Sequence, residues 1–228
     1  MYTYYMELYH LLNRGNDKRD IVMNDHDRRR FVRDLYEMND THAVTNLWYR
    51  AHNPFSDLVG HYDTRDRLVT IHAWCLMKNH YHLLVSENRE GGITAFLRKL
   101  NVGYVKYFNE RNNRSGTLFQ SRTKKVLIEH EAHFLWILHY IHLNPLDFHA
   151  ETKNWRAQCL KNPTRALKNL DTYPWSSYND YTGKREKENY SPILKGSFFY
   201  KDRGVHSKET KRYLTSFHKT VVRLEDAE

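Results

Sequence analysis

Leu68-Val69-Thr70-Ile71-His72-Ala73-Trp74-Cys75-Leu76, then Met77-Lys78-Asn79, then His80-Tyr81-His82-Leu83-Leu84-Val85, is the stretch on which the fold turns. Two apolar runs rich in β-branched and aromatic side chains flank three residues of turn character, which predicts a β-hairpin. Upstream, Tyr4 to Leu12 reads as a strand that runs into the turn signal Asn13-Arg14-Gly15-Asn16. Asp25 is placed to cap a helix with Phe31, Val32, Leu35 and Met38 on one face. Downstream of Gly91-Gly92, the residues Ile93, Phe96, Leu97, Leu100, Tyr104, Tyr107 and Phe108 recur at helical steps, and Arg111 to Gly116 closes that helix. Lys124 to Ile128 predicts a strand, and Glu131 to about Leu143 a helix ended by Pro145. The order strand, helix, strand, strand, helix, strand, helix is an α+β pattern. It is a ferredoxin-like antiparallel sheet with helices packed on it and one added C-terminal helix.

The chain has 228 residues and a 40% hydrophobic fraction, enough for one packed domain, expected over residues 1–147. Residues 148–228 are polar and basic and read as an extension packed on that core. The stretch from Asp40 to Asp66 shows no apolar period and reads as an irregular insertion without an assigned role.

Thirty-six Lys and Arg against 27 Asp and Glu leave a formal charge of +9, which points to nucleic acid. No apolar run approaches the roughly 20 residues that span a bilayer. The start, Met1-Tyr2-Thr3-Tyr4-Tyr5, lacks a basic region followed by an apolar one, so a cytoplasmic location is expected. Cys75 and Cys159 form no Cys-x-x-Cys pair, which argues against a zinc ribbon.

Two short patterns carry chemistry. On a strand, His80 and His82 leave the sheet from the same face and can chelate a divalent metal, while Tyr81 points the other way. With 15 histidines in the chain, such a pair also arises by chance. On the last helix, Tyr140 and Asn144 are i and i+4 neighbours, so Tyr140-Ile141-His142-Leu143-Asn144-Pro145 sets a phenol beside an amide oxygen. A half-buried tyrosine and a helix-terminal asparagine are the ordinary explanation of that pattern.

Together the two patterns are more specific. Two neutral imidazoles and an amide leave a bound Mg²⁺ or Mn²⁺ most of its charge, and Tyr140 can attack a phosphodiester in line. A base for the phenol is not assigned, His142 being one of several candidates. Tyr104 and Tyr107 are rival nucleophiles, with core packing the better account of Tyr104.

Leu76 to Val85, with its His80-Tyr81-His82 centre, resembles the histidine–hydrophobe–histidine motif of the HUH superfamily. With Tyr140 to Pro145, Tyr9 to Asn16, Ser115 to Arg122 and Tyr173 to Tyr178, the chain resembles the single-tyrosine transposases, in particular the REP-associated tyrosine transposases, over most of residues 9 to 181. Lys78-Asn79 stands where relatives often have Pro-Asn, and Tyr81 where many have an aliphatic residue.

The resemblance implies the HUH nuclease fold, with His80, His82 and Asn144 as metal ligands and Tyr140 as the nucleophile of a 5′-phosphotyrosine. The implied substrate is single-stranded DNA bearing a hairpin, handled by a monomer or a homodimer. Arg14, Asn16, Arg98, Lys99, Lys106, Arg114, Arg122 and Lys124 are the expected DNA contacts. Trp175 either stacks on a base or pins the extension. The rival function is a domesticated hairpin-binding protein without cleavage.

Overall fold

In the computed structural model the described residues are 7–44, 65–129, 131–157, 160, 162–185, 190–197 and 205–215, with 131–135 described by backbone alone. The core elements are β1 (Leu8–Arg14), α1 (Asp25–Glu37), β2 (Val69–Leu76), β3 (His80–Glu87), α2 (Gly92–Arg111), β4 (Lys124–Leu127) and α3 (Glu131–Leu143). The sheet order is β2-β3-β1-β4 with every neighbour antiparallel, the split βαβ arrangement that the element order predicted.

Two local expectations are corrected. β1 runs on to Arg14 instead of ending at Leu12, because Asn13 and Arg14 still pair with Tyr81 and His80. The chain turns at Gly15, where a Cβ would meet the Arg19 carbonyl oxygen at 2.2 Å. Asn24, not Asp25, caps α1, its side chain accepting from the backbone N–H groups of His26 and Asp27. Asp25 is the first helical residue, where its charge suits the positive end of the helix dipole.

Strand alternation sorts the sheet into two faces. Leu11, Tyr81 and Leu83 share one face, covered by α1 and α2. The Tyr81 ring lies 5.1 Å from Phe31, which in turn meets Tyr104 edge-on at 5.0 Å. Tyr104 also donates to the Ile21 carbonyl and is fully buried, so it belongs to the core. His10, Leu12, His80 and His82 occupy the opposite face, beneath α3.

Helix α3 is apolar on almost every side, with Ile137, Leu138, Tyr140, Ile141 and Leu143 all buried, because a third layer covers its back. Residues after 148 supply that layer. They form α4 (Pro163–Asp171), α5 (Tyr178–Thr182) and α6 (His206–Thr215), helices the polar composition did not announce. The same segment closes the outer edge of β2. Leu76 N–H donates to the Trp175 carbonyl and Ser177 N–H to the Trp74 carbonyl, each at 2.9 Å. A buried two-pronged Arg185–Asp180 pair, at 2.6 and 2.7 Å, holds the turn that makes this contact. Most of the Asp40–Asp66 insertion, residues 45–64, lies outside the described residues. No described helix is long and apolar enough to cross a membrane.

His72 stitches β2 to both neighbours, its Nε2 2.9 Å from Ser86 Oγ and its Nδ1 3.2 Å from Ser197 Oγ. Burial pushes its pKa down to about 3. Unfolded histidine takes its proton near 6.5, so between those limits the unfolded chain binds more protons than the folded one. The stability contributed by neutral His72 is therefore complete above pH 6.5 and is lost as the pH falls below it. Thermal melts should show the melting temperature dropping from pH 7.5 to pH 5, and dropping less steeply in His72→Asn. Equal slopes in the two proteins would contradict this.

Candidate active site

The site begins at the hairpin turn. Met77 N–H closes it onto the His80 carbonyl at 2.8 Å, and Gly15 N–H donates to the Asn79 carbonyl at 2.8 Å. β3 thus starts at His80, directly opposite Arg14. His80 and His82 project from one face with ring centroids 4.9 Å apart. The Asn79 amide oxygen accepts from His80 Nδ1 at 2.6 Å, which leaves Nε2 with its lone pair, the usual way a protein sets the tautomer of a metal-binding histidine.

His82 is fully buried in the middle of the sheet. Burial above all, then unfavourable electrostatic interaction with His80, His10, Arg156 and Arg14, holds its pKa well below the ordinary range. It is a neutral imidazole, the form a metal takes. Its Nδ1 lies 2.9 Å from His10 Nε2. The two rings are tilted by only 11° with centroids 5.2 Å apart, so they meet edge to edge in nearly one plane around that hydrogen bond. His10 was not singled out from the sequence. The signal that could have found it is strand parity, since His10 sits on the same face as the His80–His82 pair once β1 and β3 are aligned.

Tyr140 comes down from α3 onto these two imidazoles. Its ring lies 5.9 Å from both His82 and His10, edge-on to each. The structure therefore brings the Tyr140 ring against His82 and His10 within one chain. Asn144, one turn on, marks the change from α3 to a 3-10 turn containing Pro145. Its Nδ2 donates to the Tyr140 carbonyl at 2.9 Å, and its Oδ1 accepts from Arg156 Nη2 at 3.2 Å.

Trp155 and Arg156, from the extension, form the roof. Trp155 packs on the Tyr140 ring at 5.6 Å, and the Arg156 guanidinium lies 5.9 Å from it. Asp147 fixes both, accepting from Trp155 Nε1 at 2.8 Å and from Arg156 Nη1 at 2.7 Å. Neither residue was expected from the sequence, because an Asn-Trp-Arg run in a polar segment carries no periodic signal. His142 points away from the phenol, toward His206 and Ser177.

The donor set fits a divalent cation. Two adjacent imidazoles and, on the tyrosine helix, an amide oxygen that accepts from Arg156 are donor types that suit such an ion. Tyr81 lies on the other face, donating to Asn101 Oδ1 at 3.0 Å.

The expected DNA contacts separate into groups. Arg14 stands opposite His80, and Lys124 opposite Leu12 on β4, so both belong to the imidazole face. Asn16 lies in the adjoining turn, bonded to Asp17 and, through its N–H, to the Leu118 carbonyl. Arg122 is exposed just before β4. Arg98, Lys99, Lys106 and Arg114 sit on or just beyond α2, across the sheet from the imidazoles. Lys99 there donates to the Asp40 and His42 carbonyls, and Arg114 to Asn109 and Thr117. Trp175 is only 8% exposed at the edge of β2, which is the pinning arrangement of its two readings.

No curated protein matches the sequence. Among solved structures, a REP-associated tyrosine transposase bound to a REP hairpin aligns at a TM-score of 0.46 and 14% identity, over 80% of this chain and 85% of that one. Residues 4–144, from ahead of β1 to the asparagine that ends the tyrosine helix, match the family of IS200-like transposases. That span takes in His10, His80, His82, Tyr140 and Asn144, and on it the chain belongs to the IS200-like transposase family.

Proposed function

We propose that this protein cleaves and rejoins single-stranded DNA bearing a hairpin, with Tyr140 as the nucleophile and a cation held by His80, His82 and Asn144. One observation carries the reading, the Tyr140 ring set 5.9 Å from that of His82 in the same chain. On this reading the phenol and the imidazoles act from one chain.

Tyr140 Oη attacks the phosphorus, the Oη–P bond forms, and the P–O3′ bond breaks. The phenol proton passes to a base, and the departing 3′ oxygen takes up a proton. The 5′ phosphate remains on the tyrosine, and because one phosphodiester replaces another, the free 3′-hydroxyl can reverse the step. Bound Mg²⁺ or Mn²⁺ supplies Lewis-acid polarisation of the phosphate. The chain's own residues do the rest. Asn79 and His10 orient the two imidazoles, Trp155 keeps water from the phenol, and Arg156 offers its guanidinium to the phosphate beside Tyr140. Arg14 and Lys124 extend positive charge along the same face for the DNA backbone.

The rival reading, a hairpin-binding protein that no longer cuts, has one observation on its side. Tyr140 is fully buried beneath Trp155 and Arg156, so the roof must lift before DNA reaches it.

With Mn²⁺ and a labelled single-stranded hairpin oligonucleotide, the protein should form a covalent adduct on the 5′ phosphate side. Tyr140→Phe should form none while keeping hairpin affinity. Hairpin binding by the wild type with no adduct would establish the rival. Arg156→Gln should slow adduct formation by about 10²–10³-fold, the cost of losing one donor aimed at transition-state charge. An unchanged single-turnover rate would remove Arg156 from the chemistry. Calorimetric titration with Mn²⁺ should show His10→Phe binding about 10–100-fold more weakly, as expected when a metal ligand loses its hydrogen-bond partner. His10→Asn should recover part of that loss, and equal affinity in all three proteins would make His10 a packing residue only.

A further inference from the structure

On the far side of the tyrosine helix lies a second group of potential ligands. His139 of α3 and His206 and Glu209 of α6 each bring a ligand atom within 4.8 Å of the other two. His206 and Glu209 share one face of α6 at i and i+3 spacing, and both imidazoles are buried while Glu209 is exposed.

Hydrogen bonding engages one nitrogen of each imidazole. Thr210 Oγ1 gives its single proton to the His206 carbonyl at 2.8 Å, so in its 3.2 Å contact with His139 Nδ1 the hydroxyl accepts. His139 Nδ1 therefore carries the proton, and Nε2 keeps the lone pair. A relay also holds His206. Ser177 Oγ lies 2.7 Å from His142 Nε2, and His142 Nδ1 lies 2.8 Å from His206 Nε2. That contact engages Nε2 of His206 and not its Nδ1. Each imidazole thus spends one nitrogen on a neighbour and keeps the other as a donor, the arrangement that orients metal-binding histidines.

We propose that His139, His206 and Glu209 form a second cation site, selective for Zn²⁺, that ties α6 to the tyrosine helix. Two imidazoles and a carboxylate with an open fourth position suit zinc, whose hard competitors Mg²⁺ and Mn²⁺ prefer oxygen-rich sets. Ligand atoms around tetrahedral zinc lie about 3.4 Å apart, so a small rotation of the side chains, mainly of exposed Glu209, completes the set. His139 directly precedes Tyr140, and a cation there fixes the helix that aims the phenol without touching DNA. The proposal does not depend on the catalytic reading.

The test is a Zn²⁺ titration of full-length protein against a competing chromophoric chelator, with melts in parallel. His80→Ala, which breaks the catalytic pair, serves as the background. It should still bind one equivalent of Zn²⁺, resist exchange by excess Mg²⁺ or Mn²⁺, and melt at a higher temperature when loaded. Adding Glu209→Gln, an exposed change that spares the fold, should weaken this binding at least tenfold and abolish the thermal shift. No Zn²⁺ equivalent in the His80→Ala background, or equal affinity with Glu209→Gln added, would overturn the proposal.

Discussion

The contact on which the site depends is that of the Tyr140 ring with two buried imidazoles, His82 and His10. His82 sits mid-strand, its place fixed by ladder partners Leu12 and Cys75 on either side. An imidazole buried there must stay uncharged and keep a hydrogen-bond partner, and His10 meets that demand from the neighbouring strand. The tyrosine helix then has one way to lie, because its apolar surface covers the imidazole face while the extension covers its back. Positioning of the phenol is thus a consequence of core packing, which resists small displacements far more strongly than a surface loop does.

The segment after residue 148 is as much a part of the site as the sheet. It supplies Trp155 over the phenol, Arg156 on Asn144, and a strand-like edge to β2. Arg14 and Arg156 reach His82 from opposite elements, one on β1 and one from the extension, and both lower its proton affinity. A polyanion arriving at this face meets positive charge from both sides of the imidazole pair.

Much of this was legible before any coordinates. Strand parity put His80 and His82 on one face and Tyr81 on the other, and Pro145 marked the end of α3 at Leu143. What was not legible has physical reasons. Charge on a helix gives no hint of which sheet face that helix covers, and α2, which carries Lys99 with Arg114 just beyond it, packs on the Tyr81 face. The extension was read as packed on the core but without helices of its own, and α5 shows why: it is only five residues long, with Tyr178 and Tyr181 as its buried anchors, too short for periodicity to register. Arg156 and His10 were invisible since each acts through a contact distant in sequence. His10 and His82 are 72 positions apart, and Asn144 meets Arg156 across a change of element.

The most direct measurement is an anomalous-difference map from crystals grown with Mn²⁺. It should show a single strong peak bonded by His80, His82 and Asn144 Oδ1, with Arg156 drawn off that oxygen and Tyr140 of the same chain beside the ion. A peak elsewhere with the imidazole pair bare, or a Tyr140 that has left its own chain's histidines, would contradict the account.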